Sequence, residues 1–143
     1  MKPFNEDQAR DYLFNMLTTI YKFERYLVIT FGLNYQEIYL MNILKRDSPK
    51  KMSEVSSGMK IEAFSASRLV ARMVEKGLVK RYKAGRDKRN VFIKLTDLGE
   101  RKVDELEDKS VEILKNNSET VLPEIMESFV TAAMNIHHLL KTE

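Results

Sequence analysis

The stretch FSASRLVARMVEKGLVKRYKAGRDKRNVFIKL, residues 64–95, decides how this chain folds. It divides into a helix, a sharp stop, a strand, a charged turn and a second strand. The helix is predicted over residues 64–76, with Leu69, Val70, Met73 and Val74 as its apolar stripe. Ser65, Ser67, Arg68 and Arg72 lie beside that stripe. Gly77 ends the helix, because glycine takes the left-handed conformation after a C-cap without a Cβ clash. Strands are expected over 78–83 and 91–95, around the turn 84–90. In the second strand Val91, Ile93 and Leu95 should face the core while Phe92 and Lys94 face out. A helix carrying small polar and basic residues, followed by a basic hairpin, suits the major groove of DNA and a flanking groove.

The segments upstream supply the partner helices. Asn5 with Gln8 reads as a capping pair that opens a first helix running to about Thr30, before Gly32. Leu13, Met16, Leu17, Ile20, Leu27 and Phe31 form its apolar face, and its length suggests a partner helix from a second subunit. Asn34 and Glu37 repeat the capping pattern for a helix over about 35–45, with Ile38, Met41 and Leu44 turned inward. Asp47-Ser48-Pro49 breaks the chain. A short helix follows near 52–57 with Val55 inward, Gly58 turns out of it, and Glu62 stands at the cap of the helix at 64–76. Two short helices joined by a tight turn make a helix-turn-helix. Downstream, Thr96 caps a charged helix, Asn116-Asn117-Ser118 reads as a break, and Pro123 opens a last helix whose seam is Ile125, Phe129, Ala132, Ala133, Ile136 and Leu140.

The 143 residues carry a net charge of only +3, unevenly spread. Residues 50–95 hold 13 Lys and Arg against 4 Asp and Glu, while the rest holds 11 against 17. Positive potential is thus concentrated in the middle third, as for a face that binds a polyanion; the bland alternative is a lysine-rich solvated surface. Cysteine is absent, which excludes disulfides, thiolate zinc sites and cysteine-based peroxide sensing. No apolar run long enough to span a bilayer and no secretory signal is visible, so a cytoplasmic location is the expectation. No phosphate-binding glycine loop or nucleophile–base–orienter set is found, so no enzymatic activity is expected. The acidic run Asp104, Glu105, Glu107, Asp108 and Glu112 reads as a solvated helix face. His137 and His138 are adjacent on a helix and point apart, without a third ligand, so no metal site is expected.

At DKRNVFIKLTDLG, residues 87–99, the sequence resembles the multiple-antibiotic-resistance regulator (MarR) family, winged-helix transcription factors of bacteria and archaea. Their wing commonly reads D-[RK]-R and is followed by I-x-L-T-x-x-G leading into a helix. Ser65-Ala66-Ser67-Arg68-Leu69-Val70 looks like that family's recognition helix, and Glu75-Lys76-Gly77-Leu78-Val79-Lys80-Arg81 like its exit into the wing. The sequence departs from the pattern at Phe64, where a small polar residue is more usual, at Ala66 and at Gly58-Met59-Lys60-Ile61. The resemblance implies a mainly α protein with a small β-hairpin wing. A winged helix-turn-helix lobe at 34–97 would join a helical dimerisation region formed by 1–33 and 98–143.

The resemblance implies a homodimeric, sequence-specific regulator of double-stranded DNA, read here as a repressor released by a small-molecule effector. Its operator is expected to be pseudo-palindromic, two recognition helices lying about one DNA turn apart. Ser65, Ser67 and Arg68 are the contacts that the resemblance supports, and Arg72 is added from helical spacing. Arg86, Asp87, Lys88 and Arg89 form the wing turn; by resemblance Arg89 reaches the minor groove or its phosphates, and Asp87 pairs with a nearby arginine to shape the wing. Family members often take a small aromatic or phenolic anion between platform and lobe. Tyr12, Tyr21, Tyr26, Tyr35 and Tyr39 are candidates to line such a pocket, with burial in the core as the competing expectation. The alternatives are a winged-helix protein-interaction module and an effector-independent regulator or activator. Six Lys and Arg from Lys80 to Arg89 argue against a surface that meets only protein.

Overall fold

The computed structural model describes residues 5–86 and 88–142. In chain order the elements are α1 (Glu6–Phe31), α2 (Tyr35–Arg46), β1 (Lys50–Lys51), α3 (Met52–Met59), α4 (Ala63–Glu75), β2 (Val79–Lys83), β3 (Val91–Leu95), α5 (Asp97–Ser118) and α6 (Pro123–Leu139). The chain divides into two compact units, Met1–Leu106 and Glu107–Glu143.

The helix ends follow from local chemistry. Asn5 accepts from the Asp7 amide at 3.0 Å, and Gly32 ends α1 at φ 66°. Asn34 and Glu37 form a reciprocal capping box at α2: Asn34 Oδ1 accepts from the Glu37 amide at 2.9 Å, and Glu37 Oε2 accepts from the Asn34 amide at 3.0 Å. Glu37 is nevertheless buried, and its carboxylate also accepts from Lys76 Nζ at 2.7 Å. One acid therefore caps α2 and ties it to the end of α4. In the first unit, Leu40, Met41 and Leu44 of α2, Val55 of α3, Ala66, Leu69, Val70 and Met73 of α4, and Ile93 of β3 build the core.

The wing is larger than a hairpin. Lys50–Lys51 pairs antiparallel with β3, giving a three-stranded sheet in the order β1-β3-β2. β2 pairs with β3 from Val79 opposite Leu95 to Lys83 opposite Val91, so Leu78 lies just before the strand. Ile93 and Leu95 are buried as expected, while Val91 is half-buried.

Several expectations need correction. Gly58 lies inside α3, and the exit from that helix is made by Lys60 at φ 52°. Glu62 stands at the N-cap of α4 without a side-chain cap bond. Val74, expected on the buried stripe, is exposed because it lies about a quarter-turn round from the middle of the stripe formed by Ala66, Leu69, Val70 and Met73. The run Asn116-Asn117-Ser118 continues α5 to its last residue.

The junction into α5 is tight. Thr96 Oγ1 donates to the Gly77 carbonyl at 2.6 Å and accepts from the Gly99 amide at 3.0 Å, while the Thr96 amide donates to the Leu78 carbonyl at 3.1 Å. A Cβ at Gly99 would fall 2.0 Å from that same Leu78 oxygen. Further along, Lys45 of α2 bridges Glu100 at 2.7 Å and Asp104 at 2.9 Å of α5. These hydrogen bonds, Glu100's first and Asp104's next, raise the Lys45 ammonium above the ordinary lysine range despite partial burial.

Two helices leave apolar faces uncovered. Leu27 is the one buried residue of α1, while Leu13, Phe14, Leu17 and Ile20 are exposed. In α6 no residue is buried, and Ile125, Phe129, Val130 and Met134 face outward.

Candidate nucleic-acid interface

The helix-turn-helix is held by one serine. Ser56 Oγ donates to the Ile61 carbonyl at 2.7 Å, and the Ile61 amide donates to the Ser56 carbonyl at 3.1 Å. This double link crosses the left-handed Lys60 and fixes the direction in which α4 leaves the turn. Burial of Ala66, Leu69, Val70 and Met73 then sets the rotation of α4 about its axis. Phe64, Ser65, Ser67 and Arg68 consequently face away from the core, all exposed. Arg68 lies over the Phe64 ring at 5.7 Å, not against Glu54, Glu62 or Glu75.

Arg72 behaves differently from the other three helix candidates. Its Nε lies 3.8 Å from Glu37 Oε1, and its side chain is 42% exposed. It shares the buried acid with Lys76 and leans toward α2.

The second half of the surface is the wing. Arg86, Lys88 and Arg89 are exposed in the turn between β2 and β3, and Gly85 takes φ 76° to open that turn. Asp87 lies outside the described residues. The strands below are braced by cross-strand side chains: Tyr82 stacks on Phe92 opposite it, ring centroids 5.7 Å apart, and Lys94 Nζ sits 5.0 Å over the Tyr82 ring.

Sequence reasoning missed the link between the two halves. Arg81 of β2 reaches back with Nη2 donating to the Ser67 carbonyl at 3.3 Å. A strand arginine thus joins wing to helix. Its one available signal is the strand position two residues past the start of β2, with no motif to mark it. Lys50, in β1, is held by the Asp47 carboxylate, whose hydrogen bond raises its ammonium above the usual value.

Such a surface offers hydroxyls, guanidinium groups and ammonium groups in two exposed blocks. It can bind an anion by hydrogen bonding and charge. Among the described residues no group of three His, Asp or Glu side chains is placed to hold a metal ion, and no helix is long and apolar enough to cross a membrane. Tyr12, Tyr21, Tyr26, Tyr35 and Tyr39 are all exposed, which overturns their burial in the core of this chain.

The sequence profile of a winged helix DNA-binding domain matches residues 33–99. The structure of a MarR family protein from Bacillus stearothermophilus superposes with a TM-score of 0.83, over 98% of this chain and all of that one, at 22% identity. The chain shares the fold of that MarR family protein, and residues 33–99 resemble a winged helix DNA-binding domain. Two further solved structures align at similar length. FabT of Streptococcus pneumoniae, in complex with DNA, gives a TM-score of 0.79 at 15% identity over 96% of this chain and 98% of that one. NadR in complex with 4-hydroxyphenylacetate gives 0.71 at 20% identity over 100% and 97%. In sequence, the HTH-type transcriptional regulator MgrA of Staphylococcus aureus is 31% identical over 88 residues. That alignment covers 62% of this chain, and the chain spans about 60% of the length of this curated relative.

Proposed function

We propose that this protein is a transcriptional regulator that binds double-stranded DNA sequence-specifically as a homodimer, with α4 in the major groove and the wing on the flanking groove. The observation that carries this reading is the exposed hydroxyl-and-guanidinium face of α4, joined to the basic wing through Arg81 and Ser67. Ser65, Ser67 and Arg68 meet base edges and phosphates, and Arg86, Lys88 and Arg89 meet the backbone beside them. Arg72 keeps its place on Glu37 and contributes positive potential at the groove's edge.

The dimer reading rests on the uncovered apolar faces of α1 and α6, which a water-exposed monomer would leave in solution. Residues 1–33 and 98–143 form its platform, and 34–97 the DNA-binding lobe. Repression relieved by a small aromatic or phenolic effector is the regulatory reading. It is supported by the exposed Tyr12, Tyr21, Tyr26, Tyr35 and Tyr39 and by the likeness to NadR bound to 4-hydroxyphenylacetate.

The test combines light scattering at micromolar protein with anisotropy of a labelled duplex over a salt series. A dimer whose affinity falls steeply as salt rises supports the reading. A monomer refutes the platform, and binding indifferent to salt refutes the phosphate-facing wing.

A further inference from the structure

Phe64 has no role in the fold or in the phosphate contacts described above, yet it is among the most exposed large apolar side chains of the molecule, at 73%. It sits in the first turn of α4, two residues past the Glu62 cap. At about 100° of rotation per residue, Phe64 and Arg68 project from the side opposite the buried Ala66, Leu69, Val70 and Met73. Their neighbours Ala63, Ser65 and Ser67 are all small. The ring and the guanidinium are therefore the only large exposed groups on the first two turns, a ridge standing proud of a low surface. The guanidinium lies 5.7 Å from the ring centroid, within the range of a cation–π contact. That contact restricts a long, flexible side chain before any partner arrives.

From this arrangement we infer that Phe64 reads thymine, its ring packing against the 5-methyl group in the major groove, while Arg68, held on the ring face, addresses an adjacent guanine. A phenyl ring can neither donate nor accept a conventional hydrogen bond. Of the four bases, thymine alone presents an apolar group on the major-groove edge. Guanine presents two acceptors that match a guanidinium fork. The first turn of the second helix is the part of a helix-turn-helix that meets base edges, so the ridge lies where both groups can be reached. Each half-site should then contain a thymine next to a guanine, a preference that serines alone would not impose.

The inference rests on the DNA-binding reading, and its test separates the two. Full-length protein is used to select bound duplexes from a random pool. In the enriched site each thymine is then replaced singly by deoxyuridine, which removes the 5-methyl and nothing else. Affinities are measured by anisotropy at one salt concentration. One thymine per half-site should weaken binding about fourfold on replacement, the factor for one methyl withdrawn from contact. Phe64→Ala should bind the thymine and uracil duplexes equally, and Phe64→Leu should restore part of the difference. Arg68→Ala should relax the choice of base at the neighbouring position. Circular dichroism melts of the Phe64 variants should match the wild type, since the side chain is largely exposed. If every thymine tolerates uracil, or if Phe64→Ala still discriminates in full, the assignment is wrong while DNA binding stands. If no duplex is enriched, both fall.

Discussion

Replacing Gly99 by alanine should reverse the usual sign of a glycine-to-alanine change in a helix. In an open helical position alanine is favoured by about 1 kcal/mol. At Gly99 the added Cβ would lie 2.0 Å from the Leu78 carbonyl oxygen, 3.0 Å from its carbon and 3.2 Å from Leu95 Cδ2. A carbon approaches a carbonyl oxygen no closer than roughly 3.3 Å, so the start of α5 must retreat by about 1 Å. The neighbours cannot give way instead, because the oxygen belongs to backbone already bonded to the Thr96 amide at 3.1 Å. The retreat strains that bond and the Thr96 hydroxyl bond to Gly77 at 2.6 Å. Overpacking contributes about 1–3 kcal/mol and each weakened hydrogen bond about 1 kcal/mol. After the propensity gain, the net loss should be about 2–4 kcal/mol, a large share of a total stability of about 5–15 kcal/mol. Gly58→Ala is the internal control: nothing lies within 4 Å of a Cβ there, so it should stabilise by about 0.5–1 kcal/mol. Urea titrations of the three proteins at one concentration give the comparison through their midpoints. A Gly99→Ala midpoint at or above that of the wild type would show that the α5 junction is not packed as described.

Other perturbations probe the rest of the account. Arg89→Ala should weaken DNA binding by about 1–3 kcal/mol and lower its salt dependence; unaltered affinity at moderate salt would remove the wing tip from the interface. Glu37→Ala should cost about 1–3 kcal/mol of stability by removing the α2 cap and the Lys76 and Arg72 partner, and Glu37→Gln should cost less because its side-chain oxygen can still accept from Asn34. Equal losses in the two variants, by urea titration, would place the effect on charge alone. Lys45 has its folded pKa raised above the ordinary lysine value of 10.5 by its hydrogen bonds to Glu100 and then Asp104. Its contribution should therefore be whole below that pH and fade as the pH climbs past it. The melting gap between wild type and Lys45→Met should hold from about pH 7 to about pH 9 and narrow only in stronger alkali; a gap closing below about pH 9 would contradict the pairing with Glu100 and Asp104.

Periodicity carried the helices, because each packs a stripe against a core that the stripe itself defines. Leu69, Val70 and Met73 announced the buried side of α4, and Gly77 its end. Elements set by a partner elsewhere were harder to read. Lys50–Lys51 has no strand pattern; it is a strand because β3 offers an edge to it. Glycine preference puts the turn out of α3 at Gly58, yet Lys60 takes the left-handed conformation, held there by the Ser56–Ile61 bonds. For the site, spacing put Arg72 near the other helix residues but gave no sign that Glu37, 35 positions earlier, would draw it aside. Arg81 likewise found the Ser67 carbonyl through the packing of β2 against α4. The exposure of Ser65, Ser67, Arg68, Arg86, Lys88 and Arg89 was legible, since polar residues off a buried stripe turn away from the core.

The proposed dimer sets two such helices and wings against one duplex. Selection from random double-stranded oligonucleotides, at low ionic strength and without added small molecules, tests it most directly. Enrichment of a pseudo-palindrome whose half-sites lie about one helical turn apart is expected. Recovery of a pool no different from the starting mixture would contradict it.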